Sequence, residues 1–220
     1  MNLPSKSIIY FSDTRPSPHI LNMCHVEIAK ANLPIVSVTL KPMNFGENIV
    51  LPLERGWETY FIQIYTALQA SKADIVFFAE HDCLYPQSHF EFTPPTKDKF
   101  YYNQNWWKIR EDGFAVSWRA DQVSGLVCYR ELALEWYNNK VESFNKETFD
   151  RKFEHGSGTE LSESWLSEIP YIDIRQDKAA TKNKWSLKDF RDKTTAKDFK
   201  ESTIDKIHGW NLKVEDIWIK

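Results

Sequence analysis

Glycine is scarce in this chain, with 7 in 220 residues, about half the usual share of roughly 7%. A loop that wraps a nucleoside triphosphate in consecutive backbone amides depends on glycines, so such phosphate loops are disfavoured before any motif is sought. Cysteine is nearly absent. Cys24, Cys83 and Cys128 are odd in number, far apart and form no CxxC, which argues against a zinc ribbon or a disulfide scaffold and for buried, reduced thiols. Neither sign of charge dominates: 28 Lys and Arg against 31 Asp and Glu give a net charge of −3, so no global positive field calls for a polyanion. Long apolar runs are missing as well. The densest, Ile35–Leu40 and Ile75–Ala79, have strand length and fall far short of the ~20 residues of a bilayer span. The opening residues MNLPSKSIIYFSDTR hold no long apolar signal core. A soluble, cytoplasmic protein is the expectation.

What is present is enough apolar material for one core. Hydrophobic residues make up 42% and include nine tryptophans, and charged residues 27%, a composition of a folded domain rather than a disordered chain. The charge is uneven. Residues 171–220 carry 12 basic and 9 acidic groups, and Lys178–Lys200 alone carries eight basic groups and three acids. That stretch fits either a solvated, lysine-coated helix or a surface for a polyanion.

The pattern along the first half alternates strand and helix. Ser7–Phe11 reads as a buried strand ended by Ser12-Asp13-Thr14-Arg15, and Pro16 and Pro18 open a helix to about Ala31. Ile35–Leu40 is a second strand, followed by a polar loop with Asn44, Gly46 and Asn48. Trp57, Tyr60, Phe61, Ile64 and Leu68 fall at i, i+3, i+4, i+7 and i+11, the spacing of a helix packed on a sheet. Ala73–Ala79 is a third strand that runs into Glu80-His81-Asp82. Short connections between these elements predict a parallel sheet with right-handed crossovers. Ligands of such sheets bind at the carboxyl ends of the strands, so Asp13–Arg15 and Glu80–Asp82 are expected on one rim. Further on, Phe100–Asn103 and Phe114–Trp118 read as short strands around a turn at Asp112-Gly113, and Val123–Tyr129 as another strand. Arg130 to about Phe144 and Glu160–Ile169 read as helices, Tyr171–Ile174 as a strand and Ser186–Lys200 as a charged helix. The expected class is α/β, a mixed, mainly parallel sheet flanked by helices, with a domain over 1–175 and a basic helical extension over 176–220 packed on it.

Glu80 and Asp82 sit at i and i+2, which places both carboxylates on one side of an extended chain. Two acids so placed repel unless a cation or strong donors lie between them. A hard divalent ion, magnesium or manganese, matches oxygen ligands of this kind and commonly takes substrate phosphates as further ligands; a solvated acidic loop is the other reading of the spacing.

A strand ending in an acid-x-acid triplet within a nucleotide-binding half-sheet resembles the GT-A fold of nucleotide-sugar glycosyltransferases. More closely, the ordered set SIIYFSDTR, LPIVSVTLKPMNFGENIVLPLERG, ADIVFFAEHDCLYPQSHFEFTPP, VSGLVCYRELALE, IPYIDIRQDKAATKNKW and HGW is similar to a group of small bacterial and phage glycosyltransferase-like proteins. The resemblance spans roughly residues 7–210. It implies a hexosyl- or pentosyltransferase that uses a nucleotide-sugar donor, UDP-sugar foremost, with Mn2+ or Mg2+. By this resemblance Ser12, Asp13, Thr14 and Arg15 hold base and ribose, Arg55 meets phosphate, and Asp82 is the principal metal ligand with Glu80 beside it. Ser124 and Gly125 lie near the donor sugar, Glu163 is the base at the acceptor, and Glu160 and Glu168 are its nearest alternatives. Related chains carry a histidine where this one has Gln176, so a third metal ligand falls to His208, to Asp177 or to none. Trp57, Trp106, Trp107, Trp118 and Trp165 are candidate sugar or base platforms, with Trp106, Trp107 and Trp165 preferred. The acceptor is a cell-envelope glycan or a hydroxylated base in phage DNA, the latter through Lys178–Lys200 and in the host cytoplasm. A carbohydrate-binding module and a sugar nucleotidyltransferase are the rival classes; SDTRPSPH after the first strand lacks the glycine-rich loop of the latter.

Overall fold

A computed structural model describes residues 3–145, 155–175 and 183–219. Strand β1 (Lys6–Ser12) is buried from its second residue onward. Helix α1 (Pro18–Ala29) starts at Ser17, whose hydroxyl accepts from the Ile20 amide, with Pro18 in the first turn. Strands β2 (Ile35–Thr39) and β3 (Glu47–Val50), helix α2 (Trp57–Ala70) and strand β4 (Ile75–Glu80) follow. Then come β5 (Cys83–Leu84), α3 (Gln87–Glu91), β6 (Phe100–Asn103), β7 (Trp106–Ile109), β8 (Phe114–Ser117) and β9 (Leu126–Tyr129). Helix α4 (Arg130–Asn145), strands β10 (Ser162–Trp165), β11 (Tyr171–Ile174) and β12 (Lys200–Thr203), and the short α5 (Val214–Ile217) complete the described chain.

Two sheets form. The larger has the order β10-β6-β9-β4-β1-β2-β3; β1 is parallel to β2 and β4, β2 to β3 and β6 to β10, while β9 is antiparallel to both β4 and β6. This is the mixed, mainly parallel α/β sheet that the alternating sequence pattern predicts. Its strands alternate side chains between two apolar layers. Ile9, Phe11, Val76 and Phe78 pack with Phe61, Ile64 and Leu68 of α2 and Ala133 and Tyr137 of α4. Ile8, Tyr10 and Phe77 face the opposite way, into a layer shared with Trp106, Tyr85 and Tyr171. The smaller sheet, β12-β8-β7-β11-β5, supplies Trp106 and Tyr171, and Tyr85 directly follows its strand β5.

Several local expectations change. The polar stretch after β2 contains an edge strand, β3, because Asn48 satisfies its amide inside the sheet on Ser37 Oγ (2.9 Å) and Thr39 Oγ1 (3.0 Å). The hairpin at Asp112-Gly113 joins β7 to β8, not Phe100–Asn103 to Phe114–Trp118; Asn103 Oδ1 takes the Asn105 amide and turns the chain from one sheet into the other. Residues 162–165 form β10 rather than a helix, because β6 offers its open edge: the Phe100 amide donates to the Leu161 carbonyl and the Gln104 amide to that of Trp165. The charged helix expected over Ser186–Lys200 is also corrected. Within 183–219 the backbone makes single 3₁₀ turns at Leu187–Asp189 and Lys193–Thr195, then β12 on β8. Phe190 and Ala196 are buried in the layer that holds Trp118, spacing that a lysine-coated helix does not serve.

Trp106, a preferred sugar platform, is wholly buried, edge-on to Trp118 with ring centres 4.6 Å apart. Trp165 stacks on Phe92 at 4.1 Å. Both are packing residues here. Trp106→Ala should cost about 3–5 kcal/mol and lower the melting temperature by about 10 °C, measurable by circular dichroism.

Candidate active site

β1 and β4 lie side by side with Phe11 opposite Glu80, so the segments that follow them leave the sheet together, as the parallel topology requires. Between them and the second sheet lies a cleft of about 420 Å³. Ser12, Asp13, Arg15, Glu80, His81 and Asp82 all line it.

The β1 side is a tied cluster. Asp13 Oδ2 lies 2.5 Å from Arg15 Nε and 3.0 Å from Arg55 Nε, and Asp13 Oδ1 lies 3.7 Å from His81 Nδ1. Ser12 Oγ accepts from the Thr14 amide and sits 2.9 Å from His81 Nδ1. Thr14 itself turns away with φ +62 and is absent from the lining. Beneath, Gln63 of α2 donates to the carbonyls of Ser12 and Val38, holding the two strand ends in register. One carboxylate between two guanidinium groups leaves this corner receptive to a further anion.

The β4 side has the opposite balance. Burial first, then the neighbouring charges of Asp82 and Asp173, push the Glu80 carboxyl up to about 8 against an opposing pull from Arg175 and Ser124. Asp82 is also raised, chiefly by burial and by Asp173, with His81 pulling the other way. The His81 ring lies between Asp13 and Asp82, its Nε2 3.9 Å from Asp82 Oδ2. Both acids are thus held where ionisation is unfavourable, burial outweighing the pull of Arg175. Among the described residues no group of three His, Cys, Asp or Glu is arranged to hold a metal ion. Glu80 and Asp82 are the two oxygen ligands that would hold a magnesium or manganese ion whose remaining ligands came from outside the chain.

The second sheet closes the cleft with Lys108 of β7 and with Asp173 and Arg175 at the end of β11. Lys108 Nζ is 3.7 Å and Arg175 Nε 3.3 Å from Asp173 Oδ2. Burial brings the Lys108 ammonium down to about 8, opposed by Asp173. The remaining wall is aromatic and polar: Phe11, Trp57, Tyr60, Trp118 and His155, with Asp121 beside them. Burial pulls the His155 imidazole down to about 3, and its Nδ1 is 2.6 Å from Tyr137 Oη. Asp121 is fixed by Gln104 Nε2 (2.8 Å), Ser162 Oγ (2.7 Å) and Ser157 Oγ (3.4 Å).

Not every expected residue reaches this place. Arg55 is half-exposed at the mouth, held through Asp13. Ser124 and Gly125 are buried one step behind the lining residue Val123. A Cβ on Gly125 would stand 2.6 Å from the Asn103 carbonyl oxygen, so the close approach it permits is to backbone. Glu163 is exposed on β10 and absent from the lining, as are Glu160 and Glu168. His208 is exposed on the turn after Ile204–Lys206 and does not line the cleft. Gln176 and Asp177 lie outside the described residues.

No protein-family model matches the chain. No curated protein matches it either. Among solved structures, it is similar in outline to a glycosyltransferase involved in the glycosylation of the major capsid of PBCV-1, at 10% identity and a TM-score of 0.48 over 81% of this chain and 95% of that one. It is also similar to the inositol-1-phosphate CTP transferase from T. maritima (14% identity, TM-score 0.47, 79% and 91%) and to HddC from Yersinia pseudotuberculosis (12%, 0.42, 78% and 93%). With TM-scores below 0.5 these likenesses say nothing about the cleft, whose chemistry rests on this chain's own residues.

Lys108, Asp121, His155, Asp173 and Arg175 line the cleft without being candidates from the sequence, and of the five candidate tryptophans Trp57 and Trp118 line it. One signal was available. Lys108 in WWKI and Asp173 in YIDI are single charges inside apolar runs, and a charge buried in a strand needs a partner.

Proposed function

We propose that the chain is a metal-assisted transferase acting on nucleotide-linked sugars, a glycosyltransferase of GT-A type. The observation that carries the reading is the pairing, in one cleft at the carboxyl ends of β1 and β4, of two neighbouring, largely buried carboxylates with an arginine-flanked aspartate. The first suits a divalent ion; the second suits a nucleotide.

In this reading Trp57 and Tyr60 offer ring faces to the base, and Asp13 accepts from its imide or from a ribose hydroxyl. Arg15 and Arg55 orient Asp13 and add positive potential. Glu80 and Asp82 hold the metal, which when bound supplies positive charge against the departing diphosphate. Asp121 takes the proton of the acceptor hydroxyl in preference to Glu163, because a base must reach its substrate and Asp121 faces the cleft. The acceptor is a glycan or a hydroxylated DNA base; for DNA the exposed Lys188, Arg191 and Lys193 would meet phosphates, with binding that weakens steeply in salt.

The test is a panel of UDP-, GDP- and CDP-sugars offered with manganese and with chelator, with release of free nucleoside diphosphate as readout. Slow, manganese-dependent hydrolysis of one donor class is the expected result. Release of pyrophosphate from a nucleoside triphosphate and sugar phosphate instead would make it a nucleotidyltransferase, and binding of free sugars alone would make it a carbohydrate-binding module.

A further inference from the structure

The second sheet brings two cations to the cleft that the reading above leaves without a task. Lys108 and Arg175 both flank Asp173, and their side chains are only 6% and 15% exposed. Withdrawing an ammonium from water costs several kcal/mol unless its partners are good. Lys108 has one carboxylate at 3.7 Å, longer than the ~2.7–2.9 Å of a charge-assisted hydrogen bond. Among the described residues its ammonium also faces the rings of Trp118 at 4.8 Å and Trp106 at 5.4 Å, which stabilise a cation without using its N–H donors. A positive group is therefore held in place from behind, with donors left for something in the cleft. Lys184 lines the same wall.

The geometry points to Lys108 and Arg175 as a built seat for phosphate oxygens, so that the diphosphate of a nucleotide ligand is gripped by fixed protein cations and binds measurably without any metal. The inference rests on the nucleotide reading and adds to it: phosphate charge is met on one side by the Glu80–Asp82 carboxylates and their ion, on the other by a preformed cation pair. The competing role for the pair is internal, neutralising Asp173, Glu80 and Asp82 so that the fold tolerates them. The two roles diverge when Lys108 becomes an unbranched apolar residue. Loss of a neutraliser shows chiefly in stability, with a modest effect on anions through the field that salt screens; loss of a seat removes direct contacts and shows chiefly in anion affinity.

The probe is inorganic pyrophosphate, which has no base or sugar, titrated calorimetrically into the full chain in chelator. The wild-type chain is expected to bind it, and Lys108→Met, which keeps the packing between the two tryptophans, to weaken binding at least about tenfold, or about 1.4 kcal/mol. Reductive methylation of the wild-type chain, carried to the point where Lys108 of the ligand-free chain is labelled and read by peptide mass spectrometry, gives a second answer without a variant: pyrophosphate should slow the labelling of Lys108. Absence of pyrophosphate binding in chelator, unchanged affinity in Lys108→Met, or unprotected Lys108 would each overturn the seat. Manganese-dependent turnover of a nucleotide sugar alongside such a result would leave the transferase reading intact. Pyrophosphate binding with protection of Lys108, but no turnover of any donor, would keep the seat and remove the transferase.

Discussion

Asp82→Asn should reduce manganese-dependent release of nucleoside diphosphate by at least about 100-fold, a loss near 3 kcal/mol of transition-state stabilisation, while the metal-free chain melts no lower than wild type. The two halves of that expectation have one cause. Asp82 is raised by burial and by the charge of Asp173, so its negative charge is a burden on the empty fold and an asset only with a cation beside it. The amide keeps the shape. The backbone is undisturbed, because the Asp82 carbonyl still receives the Ile174 amide at 2.8 Å and pins the end of β4 to β11. Loss of function with preserved or higher stability is the mark of a residue kept for its charge. Full activity in Asp82→Asn, measured at several manganese concentrations, would remove the metal assignment; a large fall in melting temperature would make Asp82 a structural residue.

The part of the molecule that was legible in the sequence is the part where burial and period coincide. SIIYF, IVSVT and IVFFA are buried on both faces of the large sheet, and the Trp57–Leu68 spacing gives α2 one apolar stripe. From those elements alone the shared rim of Asp13 and Glu80 follows. What was not legible depended on partners distant in the chain. Leu161, Trp165 and Ile169 recur at helical spacing, yet residues 162–165 pair with β6 because that strand has an open edge, and tertiary hydrogen bonding outweighs a weak local preference. Phe190 and Phe199 are drawn under Trp118, which no periodicity within Ser186–Lys200 announces. The charged wall of the cleft escaped for the same reason: Lys108 and Asp173 lie 65 positions apart and meet only because β7 and β11 are neighbours, Lys108 opposite Asp173.

Glu80→Gln should stabilise the metal-free chain by an amount that grows with pH. The Glu80 carboxyl is moved from 4.5 to about 8, by burial first and then by Asp82 and Asp173. Below pH 4.5 the folded and unfolded chains both carry the proton, and Glu80 contributes nothing to pH dependence. Between 4.5 and about 8 the unfolded chain has released it while the folded chain retains it, so the unfolded state binds fewer protons and stability falls as pH rises. Above about 8 both are ionised and the full penalty is present. Glutamine resembles the protonated acid and does not titrate. The melting curves of variant and wild type should therefore coincide near pH 4.5 and separate to on the order of 5 kcal/mol by pH 8.5, or about 15 °C for a chain of this size. Manganese at pH 8 should close most of that gap by raising the wild type alone, because an ion beside Glu80 and Asp82 removes the reason for the penalty. Parallel melting profiles across the whole range, with and without manganese, would mean that Glu80 is comfortably solvated, and a carboxylate at ease without a cation gives no ground for placing one there.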